Sequence, residues 1–104
     1  MQRLLRHIVL FSYKDGVQED LKAELVRRFS ELPARIGAIH QFECGRNNSP
    51  EGLSRGFEDG FLVTFLCEAD RDAYLPHPAH RAFVDFLSPL VREALVFDYW
   101  TREP

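Results

Sequence analysis

Tyr74, His77, His80 and Phe83 lie within the run YLPHPAHRAF, residues 74–83, with Pro76 and Pro78 among them. An imidazole titrates near neutrality, so either histidine could take or give a proton. A phenol beside it could donate a hydrogen bond to an oxygen that gains charge during a reaction. The histidines stand three apart, a spacing that also suits two ligands of one metal ion. No carboxylate or cysteine is placed to complete a coordination shell, so no metal site is expected. Pro78 fits the first turn of a helix, where its missing N–H costs nothing, and the run is then also how a helix begins. Ser12 and Ser30 lack the Gly-x-Ser-x-Gly setting of an activated serine, and nothing resembles a phosphate-binding loop.

The elements that must position these side chains follow from periodicity. A strand over 5–13 is dense in β-branched and aromatic residues, and a helix is expected over about 18–32, with Leu21, Leu25, Phe29 and Leu32 at helical spacing. A second strand over 38–45, a polar loop, a third strand over 61–69 and a short helix over 70–75 come next. The last helix carries Phe83, Phe86, Leu87, Leu90 and Val91 on one stripe, and ALVFDYW, residues 94–100, reads as a fourth strand. The order is β-α-β-β-α-β, an α+β ferredoxin-like protomer, and residues 1–104 form one domain.

Phase then points the candidate side chains. His80, Phe83 and Leu87 share one face of the last helix, the face toward the sheet. His77 precedes Pro78 and is expected to shape the turn. In the first strand His7, Val9, Phe11 and Tyr13 share a face, and Ile8, Leu10 and Ser12 the other. If the first of these faces the helices, His7, Tyr74 and His80 surround a cavity walled by Val9, Phe11, Phe83 and Leu87. Apolar walls with a few convergent polar groups suit a small apolar or aromatic ligand. The competing reading is a packed interior in which His80 bonds a backbone carbonyl and Tyr74 fills space.

Both faces of the first and third strands are largely apolar, yet this fold covers its sheet with helices on one side only. The uncovered face would exceed what a soluble monomer exposes, so a homodimer packed sheet to sheet is expected. The net charge is −3, and the basic residues are scattered, which argues against a nucleic-acid partner. No apolar run approaches the roughly 20 residues that span a bilayer. The opening MQRLLRHIVLFSY has no small-residue cleavage site and reads as a strand, so a cytoplasmic protein without membrane contact is expected. Cys44 and Cys67 each sit in an apolar stretch and read as reduced, packed thiols too far apart to bridge.

The opening HIVLF, a GRN after the second strand, FLVTF, the Y-x-x-HPAHRAFV element and the terminal VFDY together resemble the stress-responsive dimeric α/β-barrel (Dabb) family over nearly the whole chain. The resemblance implies protomers whose two sheets close into one barrel. It also implies a domain for which an associated stress role is commoner than a known reaction. One plant member closes a linear polyketide thioester by an aldol condensation without a cofactor. Its catalytic tyrosine and histidine match Tyr74 and His80, its first-strand histidine matches His7, and a wall phenylalanine matches Phe83. The tryptophan on that enzyme's last helix falls at Val91, a departure that would reshape the cavity. No cofactor is signalled here either.

Overall fold

The computed structural model describes residues 3–102. Strand β1 (Leu5–Tyr13) leads to helix α1 (Glu19–Ser30), a single-turn helix α2 (Leu32–Arg35) and strand β2 (Gln41–Arg46). Strand β3 (Asp59–Phe65), helix α3 (Glu68–Tyr74), helix α4 (Pro78–Leu87) and strand β4 (Val91–Trp100) complete the chain. All strand pairs are antiparallel, in the order β2-β3-β1-β4. This is the ferredoxin-like arrangement expected from the sequence.

The boundaries differ from the periodic reading where a local rule overrides it. α1 stops at Ser30 because Pro33 cannot continue a helix; it opens α2 instead. β2 begins at Gln41, since residues 36–39 are spent on a turn closed by the Ile39 N–H on the Ile36 carbonyl. β3 ends at Phe65 because Cys67 is the N-cap of α3, so residues 66–69 are a bend and a helix start rather than strand. The stripe assigned to the last helix is too long: α4 ends at Leu87, and Val91 heads β4 opposite Tyr13. Apolar character alone does not tell a helix end from the start of an adjoining strand.

Alternation along β1 sends Leu5, His7, Val9, Phe11 and Tyr13 toward the helices, and all are buried. Phe29 of α1 is the hub of the core. Its ring stacks on Phe61 of β3 at 4.4 Å and meets Phe83 of α4 at 4.7 Å and Phe42 of β2 at 5.3 Å. Burying such a ring stabilises the fold by roughly 1.5–3 kcal/mol. At the far end of β1 the buried Tyr13 hydroxyl donates to the Asp59 carboxylate across the sheet at 2.5 Å. Burial first, and then that carboxylate, push the Tyr13 phenol well above its ordinary range.

The opposite face has no helix. It presents Ile8 and Leu10 of β1, Leu62 of β3, and Leu95, Phe97 and Tyr99 of β4, the last three paired with Leu10, Ile8 and Arg6. Among the described residues no helix is long and apolar enough to cross a membrane.

The cysteines are free but not packed. Both are exposed, Cys44 because β2 is an edge strand and Cys67 because it lies in the bend before α3. Cys44 pairs with Phe61, and Cys67 follows Phe61 by six residues, so no bridge is feasible. Both thiols are therefore expected to react with a thiol reagent in the folded, non-reduced protein, without denaturant. A titration that finds fewer than two accessible thiols would contradict this placement.

Candidate functional site

The site residues are delivered by four elements. β1 carries His7 on its helix-facing side, directly opposite Asp98 of β4. The register puts both side chains on one face, and His7 Nδ1–H donates to the Asp98 carboxylate at 2.7 Å. The second Asp98 oxygen accepts from Arg71 of α3 at 3.3 Å. α3 then places Tyr74 at its last position, with no exposed surface.

The turn after α3 is set by His77. It is the N-cap of α4, and its Nδ1 accepts the Ala79 backbone N–H at 3.0 Å, with Pro78 following in the first turn. An N-cap normally uses a short oxygen-bearing side chain. Here an imidazole nitrogen does the same work for one of the unpaired N–H groups at the helix start. His77 therefore shapes the turn.

His80 sits in the first turn of α4, half-buried. Its Nδ1 lies 2.9 Å from the Leu75 carbonyl. A carbonyl can only accept, so Nδ1 carries the proton and Nε2 keeps its lone pair. Burial lowers the His80 pKa, opposed by the Leu75 carbonyl and aided weakly by His7 and His77. Burial alone raises that of Tyr74. Around neutral pH the pair is thus a neutral imidazole and a neutral phenol. The Tyr74 ring lies 4.4 Å from His80 and 5.9 Å from His7 between centroids, so the three form a continuous row, edged by Phe65 at 5.2 Å from Tyr74.

The structure brings His7, Tyr74 and His80 together. It places Phe11 and Phe83 in a second aromatic group, around Phe29, with ring separations of 6.3 and 4.7 Å. Val9 is buried in the same core, against which the half-buried Leu87 packs. His80 and Phe83 line separate grooves on opposite sides of α4. The first is shared with Leu75, Arg81, Val84 and Asp85, the second with Ala79 and Ala82.

Three contributors escaped the sequence reading. Asp98 is an acid set among the apolar residues of β4, a signal that becomes readable once β4 is paired with β1 in register. Arg71 reaches Asp98 from a helix face that periodicity marks merely as polar. The Leu75 carbonyl is backbone and carries no sequence signal at all. Among the described residues no group of three or more His, Cys, Asp or Glu side chains is gathered for a metal ion.

One antiparallel four-stranded sheet, covered on one face by helices in β-α-β-β-α-β order, defines a ferredoxin-like α+β domain. Residues 5–101 match the Dabb family, the stress responsive A/B barrel domain, and the chain belongs to that family. It is 32% identical over 95 residues to the stress-response A/B barrel domain-containing protein HS1 of Arabidopsis thaliana, covering 91% of this chain and 87% of that protein. It is 26% identical over 99 residues to olivetolic acid cyclase of Cannabis sativa, covering 95% and 98%. A dimeric ferredoxin-like protein of unknown function from Jannaschia sp. CCS1 superposes with a TM-score of 0.80 at 28% identity, over 92% of this chain and 97% of that one.

The cap geometry yields a direct test. His77→Ala removes the acceptor of the Ala79 N–H and is expected to cost about 1 kcal/mol, within the range for lost N-caps. His77→Asn, which restores a capping acceptor, should recover most of it. Thermal or denaturant unfolding of the two variants decides this, and equal loss in both would contradict the capping role.

Proposed function

We propose that two copies of this chain pack sheet to sheet, and that the resulting dimer holds a small apolar or aromatic ligand beside Tyr74 and His80. The observation that carries the dimer is the uncovered sheet face, where Leu95, Phe97 and Tyr99 remain 42%, 59% and 40% exposed. With Ile8, Leu10 and Leu62 they make a contiguous apolar surface on the side that no helix covers. Dimeric ferredoxin-like relatives support a dimer. What supports the ligand site is His80, the member of the His7–Tyr74–His80 row that lines a groove, with Leu75 and Val84 as its apolar neighbours there and the buried Tyr74 ring behind it.

The fixed tautomer of His80 favours a second reading, cofactor-free proton transfer that closes a ring, and one relative is named as a cyclase. Nε2 of a neutral His80 takes a proton from a carbon beside a carbonyl. The enolate carbon then attacks a second carbonyl of the same molecule, forming a C–C bond. The imidazolium returns its proton to the new alkoxide, so His80 ends neutral and no redox partner is consumed. Tyr74, buried with its ring 4.4 Å from that of His80, orients the base.

Light scattering at micromolar concentration should give twice the 12.1 kDa chain mass. Leu10→Asp, which buries a charge without a partner in the proposed interface, should return the single-chain mass. A monomer throughout would overturn the assembly.

His80→Ala should leave the dimer folded while removing whatever part of the binding of an aromatic-acid probe perturbs the Leu75–Val84 groove, and turnover of any β-polyketide thioester the native protein accepts. Because burial lowers the His80 pKa, the neutral base persists below the ordinary imidazole range. The acid limb of any turnover is therefore expected below pH ~6.5, where free imidazole titrates. Full binding and turnover in His80→Ala would exclude this residue from the site.

A further inference from the structure

On the side of α4 away from His80, a groove of about 310 Å3 separates α4 from α1 and α2. Its floor is apolar: Phe83 and Leu32 are almost fully buried, and Ala79 and Ala82 leave room because their side chains are single methyl groups. Its rim is cationic. Arg27 and Arg28 of α1 and Arg35 of α2 all line it, with Glu31 the one acid among them.

The three guanidinium groups are not equally engaged. Arg27 is occupied by Glu24 and Glu31, the latter at 3.1 Å. Arg28 lies with its guanidinium carbon 4.0 Å from the centre of the Phe86 ring, and its nearest carboxylate contact, with Glu24, is 3.6 Å, too long for a hydrogen bond. Stacking on a ring face leaves the in-plane N–H edge of Arg28 for another partner. Among the described residues Arg35 has no ion pair or side-chain hydrogen bond. Two rim arginines therefore keep N–H donors over an apolar floor that is too small for a macromolecule and the right size for a compact ligand.

We infer that this groove binds a small molecule with a carboxylate head and an apolar body, the head against Arg28 and Arg35 and the body on Phe83, Leu32 and the two alanines. The planar fork of an arginine matches a carboxylate in a bidentate fashion. The site is independent of His80. It lies on the helical side, so sheet-to-sheet pairing leaves it open.

The experiment is titration of the full-length, isotopically labelled protein with benzoate, its neutral isostere benzamide, and inorganic phosphate, followed by backbone amide shifts. Benzoate is expected to move the amides of Arg28, Arg35, Ala79 and Ala82, with an affinity that falls as salt is raised. Benzamide and phosphate should bind at least about tenfold more weakly, the first lacking the charge and the second the apolar body.

Arg28→Gln with Arg35→Gln should lower benzoate affinity by about tenfold or more, a factor that corresponds to 1.4 kcal/mol. Ala82→Leu, at an exposed position, should block the groove without altering its charge. Equal binding of benzoate and benzamide, phosphate binding as well as benzoate, or shifts confined to the Leu75–Val84 groove would each overturn the proposal. Unchanged benzoate affinity in both the double arginine variant and Ala82→Leu would do the same.

Discussion

The stacking of Phe29 on Phe61 is the contact on which the rest of the molecule depends. One ring from α1 meets aromatic side chains from β1, β2, β3 and α4, so a single residue fastens the helical layer to the sheet. Everything apolar on that side is drawn to it, and α4 is held at a fixed height above β1 and β3. That height decides where His80 lies relative to Tyr74. It also consumes the helices: with α1 and α4 committed to one face, none is left for the other.

Polar groups then divide the same interior face into two ends. Near the start of β1, His7 is bonded across to β4 through Asp98; at its finish, Tyr13 is bonded across to β3 through Asp59. Both are buried donors answered by a carboxylate, which is what makes their burial tolerable. The His7 end opens toward Tyr74 and His80 and holds the candidate chemistry. The Tyr13 end is closed in by Arg46, 3.5 Å from Asp59, and by Lys22 over the Tyr13 ring at 5.0 Å.

The sequence revealed the fold through the alternation in β1 and β3 and the spacing of Leu25, Phe29 and Leu32, all long-lived periodic signals. It revealed His77 as a turn residue because Pro78 fixes a helix start. It misjudged Leu90 and Val91, where an apolar helix end runs into an apolar strand. It also misjudged Cys44 and Cys67, because an edge strand and a bend expose residues whose neighbours are buried. The phase of β1 turned His7 toward the helices, and the place of Tyr74 before the turn brought it near His80. The one face expected for His80 and Phe83, however, divides between two grooves on opposite sides of α4. The supports of the His7–Tyr74–His80 row, Asp98, Arg71 and the Leu75 carbonyl, depend on strand register and backbone direction, which no local pattern encodes.

The two buried polar bonds of β1 also bear on how the sheet finds its pairing. In a strand with apolar residues on both faces, hydrophobicity alone barely distinguishes one alignment from its neighbour. A shift of one residue would turn His7 and Tyr13 to the open face and leave Asp98 and Asp59 without these donors. Each abandoned group would carry a desolvation cost of about 1–3 kcal/mol or more. Because one bond runs to β4 and the other to β3, no single slipped alignment of either neighbour spares both. His7 and Tyr13 thus act as a two-point key for β1, selecting the correct alignment among apolar strands that would otherwise accept several.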